Sequence, residues 1–320
     1  MSIAQPGHST AANWWALARS EDVTAKKPLA VHCAGYEIVL FRDPQGHPRA
    51  LEDRCPHRRA PLSLGRIRPE GGLQCGYHGW IFDGESGACL QIPNLNADER
   101  VPPKHKAEPY AVSESQGLVY VWIAADKRPP SAPPAALPYE PVNNEASGRL
   151  TLSLSHAEFI RPLLDGPEVL LILPGLRITD NLLGDPCLRD GFWVGERGMM
   201  RSGLSFPSRF VRDYPLNLRI SLAPHTGLAF IEAYNQDDRL LVSAVLSSAP
   251  AARGTTALCW RSRRHPGGGW RAALARLLGK APLQPMPYVD GTALGKIIEG
   301  PSRVLKPTAL IHSTAQQQAS

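Results

Sequence analysis

Two short segments constrain this chain more than anything else in it. Cys55-Pro-His57 and Cys75-Gly-Tyr-His78 each pair a cysteine with a histidine, and 17 residues separate them. Thiolates and imidazoles are ligands for soft and borderline metals. The chain is 43% apolar and 20% charged over 320 residues, which reads as a folded cytoplasmic protein of about two domains. In that setting clustered cysteines indicate metal and not a disulfide. The other four cysteines, Cys33, Cys89, Cys187 and Cys259, read as small buried apolar side chains.

Two cysteines and two histidines can bind zinc. The usual finger order puts both cysteines on one loop and both histidines on the other, whereas here each loop is mixed. Mixed loops suit a Rieske-type [2Fe-2S] centre, in which two thiolates hold one iron and two imidazoles the other. Gly76 and Gly79 allow tight turns that bring backbone N–H groups toward cluster sulfurs.

Composition excludes several classes. The longest apolar candidate for a membrane span, Val169 to Leu173, falls far short of the ~20 residues required. Met1-Ser-Ile-Ala-Gln-Pro-Gly-His8 lacks the basic start and apolar stretch of a signal peptide. Residues 1–126 carry a net charge of −1 and residues 127–320 a net charge of +7. The basic residues are scattered and bring no nucleic-acid motif, so neither nucleic acid nor membrane is an expected partner. No glycine-rich dinucleotide fingerprint occurs, which places nicotinamide and flavin on another chain.

The expected fold class is α+β. Tyr36–Phe41 and Gly117–Ile123 read as strands, and Asp43-Pro-Gln-Gly46 and Asp83-Gly84 as turns. Residues 1–126 therefore form an all-β domain. Many of the chain's 31 prolines gather in PPSAPPAALPYEP at 129–141, which reads as a stiff linker spanning 127–148. Residues 149–320 form the second domain. Leu216–Leu222, Leu228–Tyr234 and Leu240–Leu246 read as strands, and Trp270–Gly279 as a helix.

CPHRRAPLSLGRI, followed by LQCGYHGWIFDGESGACLQIP, resembles the Rieske domain of aromatic-ring hydroxylating oxygenases, closest to the vanillate-demethylase type. The similarity spans residues 13 to 125. It implies that Cys55 and Cys75 bind one iron, and His57 and His78 the other. Respiratory Rieske proteins have an extra disulfide-forming cysteine in each loop, and Ala60 and Tyr77 stand at those places. An oxygenase-type cluster of lower potential, reduced by a reductase or ferredoxin, is implied. The family's second domain is a curved antiparallel sheet around a long C-terminal helix. It holds a mononuclear Fe(II) through Asn-x-x-Asp-x-x-His-x4-His and a later Asp, in head-to-tail trimers or hexamers.

This chain departs from that motif. With Asp165 as the motif aspartate, Pro162 replaces the Asn, and Glu168 and Leu173 replace the histidines. Leu173 has no lone pair for a metal, and Pro167 disturbs the helix that carries both ligands unless it sits in that helix's first turn. His156, His225, His265 and His312 are isolated and read as structural or surface histidines. Asp165 is either the aspartate that bridges subunits or a carboxylate at a helix start or on the surface. Asp290 matches the downstream ligand or caps a helix; Glu168 and Asp290 are the weak remnants of an iron site.

Three functions follow. The first is an electron-carrying subunit without mononuclear iron, beside a catalytic homologue in an aromatic hydroxylase or demethylase. The second is an active oxygenase using Glu168, Asp290 and a remote histidine such as His156 or His225. The third is a Rieske redox sensor or carrier. Arg54, Arg58, Arg59, Arg66 and Arg68 surround the first loop. They form either a docking rim for an acidic donor or a solvated rim paired with Glu52 and Asp53.

Overall fold

The computed structural model describes residues 12–96, 99–124, 146–167, 171–172, 176–201, 216–223, 225–235, 237–252, 254–265 and 288–289. The N-terminal part contains eleven strands: β1 (Asn13–Arg19), β2 (Leu29–Cys33), β3 (Tyr36–Arg42), β4 (Pro48–Glu52), β5 (Arg66–Ile67), β6 (Leu73–Gln74), β7 (Ile81–Phe82), β8 (Cys89–Gln91), β9 (Pro109–Tyr110), β10 (Val112–Ser115) and β11 (Leu118–Ile123). They form three sheets, ordered β1-β11-β10, β2-β3-β4-β9 and β5-β6-β7-β8, with every pairing antiparallel. Two-residue turns at Ala34-Gly35 and Gln116-Gly117, all at positive φ, close β2 onto β3 and β10 onto β11. That turn geometry matches the natural twist of paired strands.

β3 explains its own apolar run. Ile38 and Leu40 face one core with Trp15, Ala50, Val119 and Val121. Val39 and Phe41 face a second core with Leu51, Leu73, Phe82, Cys55, Cys75 and Trp80. Both faces are covered, so four successive residues are buried. The second core joins the small β5–β8 sheet to the rest and supports the two Cys/His loops.

The second part is built on one eight-stranded antiparallel sheet. Its strands are β12 (Ala146–Leu152), β14 (Leu176–Leu182), β15 (Cys187–Arg189), β16 (Phe192–Arg201), β17 (Leu216–Ala223), β18 (Leu228–Tyr234), β19 (Leu240–Pro250) and β20 (Thr256–Arg264). The order is β12-β20-β19-β18-β17-β16-β14, with β15 also on β16. β13 (Leu171–Ile172) pairs separately with β21 (Tyr288–Val289). Helix α1 (His156–Asp165) packs Phe159 and Leu163 against the sheet. Ser155 caps it through a capping box with Glu158, which satisfies two otherwise orphaned donors. The expected strands in this part are all present. β12 begins at Ala146, so residues 146–148, expected in the linker, lie in the sheet. The expected helix Trp270–Gly279 lies outside the described residues. No helix among the described residues is long and apolar enough to cross a membrane.

The two parts meet face to face. Ala16, Leu118 and Tyr120 pack against Phe230, Val245 and Cys259. β19 therefore alternates between two cores: Val242, Ala244 and Leu246 face α1, and Val245 faces the N-terminal part. Polar contacts fix the register of the seam. Arg261 donates to Glu21 at 2.6 Å and to the Gly117 carbonyl at 3.2 Å. Ser147 accepts from Arg19 and donates to Glu21. At the β1 bulge between Ala16 and Ala18, the Ala16 carbonyl accepts a hydrogen bond from buried Ser247 at 2.7 Å. Ser247→Ala leaves that carbonyl without its hydroxyl donor, at a cost of about 1–3 kcal/mol. Urea unfolding should show a lower midpoint with an unchanged slope; an unchanged midpoint refutes this role for Ser247.

Candidate iron-sulfur centre

Each Cys/His loop is a turn closed in the same way. The Cys55 N–H donates to the Ala60 carbonyl at 2.8 Å, and the Arg59 N–H returns to the Cys55 carbonyl at 2.7 Å. In the second loop the Cys75 N–H donates to the Trp80 carbonyl at 2.8 Å, and the Gly79 N–H to the Cys75 carbonyl at 3.1 Å. The fifth position of each turn has positive φ: 59° at Arg59 and 73° at Gly79. That conformation favours glycine, so Arg59 is held against its preference by the closed turn.

The loops are locked together from both sides. Asp53, just before the first loop, is buried and accepts from the Ser63 N–H and hydroxyl, both at 2.6 Å. Gly65 passes so close to β6 that a Cβ there would lie 2.0 Å from the Gln74 carbonyl oxygen. A Cβ on Gly76 would lie 2.9 Å from the Leu64 carbonyl oxygen. Trp80, from the second loop, stacks flat on His57 of the first, with centroids 4.7 Å apart and planes 4° apart. His105 meets the edge of Trp80 at 4.9 Å.

The outcome is a sorted set of candidate ligands. Cys55 and Cys75 are buried, at 2% and 3% exposure, while His57 and His78 are exposed with ring centroids 4.6 Å apart. Burial, with the neighbouring Cys75 thiol, pushes the Cys55 thiol up to about 11, against hydrogen bonds from the His57 and Arg58 backbone amides. Those amides are N–H donors directed at a sulfur. Loss of solvent, then His78, Arg58 and His105, hold His57 below its usual value, which favours the neutral imidazole a metal requires. Two buried thiols beside two adjacent exposed imidazoles make up the donor set of a [2Fe-2S] cluster, and Cys55, Cys75, His57 and His78 fit it.

The second part is less complete. Asp165 is the last residue of α1, so only the helix-start form of its alternative reading is excluded. Its carbonyl and that of Leu164 accept from buried Arg197 at 2.6 and 3.0 Å. Pro162 lies within α1, and the helix ends before Pro167. Glu168, Leu173, Asp290 and His312 lie outside the described residues. The β13–β21 pairing, Leu171 opposite Val289 and Ile172 opposite Tyr288, sets the segment after α1 beside the one that leads into Asp290. His156 is tied to Ser248 at 3.1 Å and meets Trp15 edge-on. His265 is tied to Ser243 at 2.9 Å, and His225 is exposed. Cys33, Cys89 and Cys259 are buried, and Cys187 is half-buried.

The partners found in the arginine rim differ from the solvated-rim reading, which named Glu52 and Asp53. Arg54 pairs with Glu37 at 2.8 Å and Arg68 with Glu70 at 3.4 Å. Asp53 is engaged by Ser63 and not by an arginine. Residues missed from the sequence are Asp53 and Ser63 as the loop clamp and His105 behind Trp80. An aspartate two positions before a ligand cysteine, with a serine soon after the loop, is the local signal for the clamp.

Comparison with known proteins agrees with this geometry. Residues 13–109 match the family model for the Rieske [2Fe-2S] domain. Among curated relatives, Protein TIC 55 of the Arabidopsis thaliana chloroplast is 37% identical over 161 residues, covering 49% of this chain and 29% of that protein. The vanillate O-demethylase oxygenase subunit of a Pseudomonas strain is 43% identical over 110 residues, 34% of this chain and 29% of that one. Rice pheophorbide a oxygenase is 43% identical over 116 residues, 34% and 22%. The matches thus span less than a third of these relatives. The solved structure of dicamba monooxygenase bound to 3,6-dichlorosalicylic acid aligns over 96% of each chain with a TM-score of 0.65 at 20% identity. Residues 13–109 are a Rieske [2Fe-2S] domain, and its relatives include Rieske oxygenases. The described residues share the two-part fold of dicamba monooxygenase.

Gly65→Ala forces the first loop off β6, at a cost of about 1–3 kcal/mol. Iron content on purification and Tm should both fall. Gly184→Ala, where a Cβ would meet nothing within 4 Å, should change neither. Equal behaviour of the two variants would refute the close approach as a requirement.

Proposed function

We propose that this chain is an electron-carrying subunit without a mononuclear iron, the partner of an iron-competent homologue in an aromatic hydroxylase or demethylase. A bound [2Fe-2S] cluster supplies one-electron transfer. The chain's own contribution is to bury Cys55 and Cys75, expose His57 and His78, and hold all four through the two closed turns. A reductase or ferredoxin donor completes the supply of electrons.

One contrast carries this reading: the Rieske ligands are complete, while the two motif histidines are replaced by Glu168 and Leu173. A leucine offers no electron pair, and a carboxylate in place of imidazole makes a harder site. A second observation supports it. The strands that meet the second sheet are β1, β2 and β11, whereas the cluster loops hang on β4 to β7. The exposed imidazole edge is thereby available to a different chain. Asp165, held at the end of α1 by Arg197, is the proposed bridge between subunits. An active oxygenase with a non-standard iron site is the second reading, favoured by the β13–β21 pairing of Leu171–Ile172 with Tyr288–Val289.

With a reductase, NAD(P)H and O2, the chain alone should give no hydroxylated or demethylated product from aromatic ethers and acids. Co-expressed with an iron-competent homologue, it should raise product yield, and His78→Ala in this chain should lower that yield at least tenfold. Steady turnover by the lone chain contradicts the proposal.

A further inference from the structure

The end of α1 is held by a charge that its apolar surroundings do not favour. Arg197, on β16, is 6% exposed. Met199 lies two residues along the strand on the same face, Leu218 stands opposite on β17, and both belong to the core beneath α1. A guanidinium keeps its proton at any ordinary pH and is costly to bury without acceptors. The acceptors here include the last carbonyls of α1: Nη2 donates to the Asp165 carbonyl at 2.6 Å and to the Leu164 carbonyl at 3.0 Å. The helix thus turns its negative end to the cation. Gly195 leaves room for this, since a Cβ there would lie 3.3 Å from the Leu164 side chain. Glu196, the neighbouring carboxylate on β16, belongs to the opposite face, where it accepts from Arg219 at 2.8 Å.

This placement bears on the metal motif that resemblance assigns to the segment after Asp165. The donor set there does not fit a mononuclear iron, because Glu168 and Leu173 stand at the two imidazole positions. The fixed cation adds a second obstacle. Three residues of chain span at most about 11 Å, so position 168 lies within that reach of a carbonyl already bonded to Arg197. At an effective dielectric of about 20, a divalent ion and a guanidinium roughly 10 Å apart repel enough to weaken binding on the order of a hundredfold. A carboxylate brought to this place also meets guanidinium donors before it meets a metal.

We propose that Arg197 is a built-in cation that stands in for the charge of a metal: it fixes the end of α1, and Asp165 with it, and it keeps divalent ions out of the segment that follows. This rests on the iron-free reading proposed above and deepens it. The lack of a metal is then set by a strand residue outside the motif as well as by the two missing imidazoles. Arg197 is a positioning residue, acting through the helix end that it holds.

The test is anaerobic titration of the full, cluster-loaded chain with Mn(II), free Mn(II) being read by EPR. Glu168→His with Leu173→His puts both imidazoles back. That change alone should bind Mn(II) no more tightly than the unaltered chain. Adding Arg197→Gln, which keeps an N–H donor and loses the charge, should tighten binding by about tenfold or more. Adding Arg197→Lys, which keeps the charge, should not. Arg197→Met, apolar and of similar length, is the second uncharged variant. Far-UV CD and the Rieske EPR signal report whether each variant is folded. Equal Mn(II) affinity with Arg, Lys, Gln and Met at 197 overturns the role of Arg197 alone. So does tight Mn(II) binding by the two-histidine chain, which carries Arg197 unchanged and so decides even where the uncharged variants do not fold. A mononuclear iron found in the unaltered chain overturns the iron-free reading, and the role of Arg197 with it.

Discussion

The two closed turns at Cys55 and Cys75 are the constraint on which the rest of the N-terminal part depends. Each returns the chain within five residues through a pair of backbone hydrogen bonds, and each leaves one sulfur facing inward. The sulfurs need a covered floor, which Phe41, Leu51, Leu73 and Phe82 provide. The imidazoles need an open edge, which the short β5–β8 sheet provides by ending early. Trp80 couples the two requirements: one ring packs into the core below and supports His57 above. Burying two thiols while exposing two imidazoles makes the site electrically and sterically asymmetric.

The second part complements this arrangement. Its sheet is covered on one face by α1 and on the other by β1 and β11, so the two parts share a core and are not joined merely by residues 125–145. The seam is fixed by a buried carbonyl taken up by Ser247 and by the Arg19, Glu21, Ser147 and Arg261 network. Partly exposed ion pairs of this kind contribute little singly. The stability of the seam therefore rests mainly on apolar burial at Tyr120, Phe230, Val245 and Cys259, and the charges fix register.

How much was legible in the sequence follows the range of the forces involved. The two Cys/His pairs proposed to hold the cluster were legible because each is local, within four residues, and the chemistry permits few side chains there. The β17 strand was legible because one covered face produces strict alternation from Leu216 to Leu222. β19 was harder: its two covered faces bury nine successive residues, and only the seam with the other part explains why it runs on to Pro250. One of the two readings of the rim gave Asp53 to an arginine, and its partner, Ser63, is set by the return of the loop. Arg54 reaches Glu37 across a sheet, and no local pattern announces that. The end of α1 at Asp165 was foreshadowed by Pro167, but the Arg197 clamp on its last carbonyls comes from a strand more than thirty residues away.

The central claim is a chain with a complete Rieske site and no mononuclear iron. The most direct measurement is iron and acid-labile sulfide per chain on protein purified without oxygen, together with the EPR spectrum of the reduced form. Two irons and two sulfides, with a Rieske-type signal that Cys75→Ser abolishes, is the predicted result. A third iron held stably by the lone chain would contradict the account and assign an unusual ligand set to the second part.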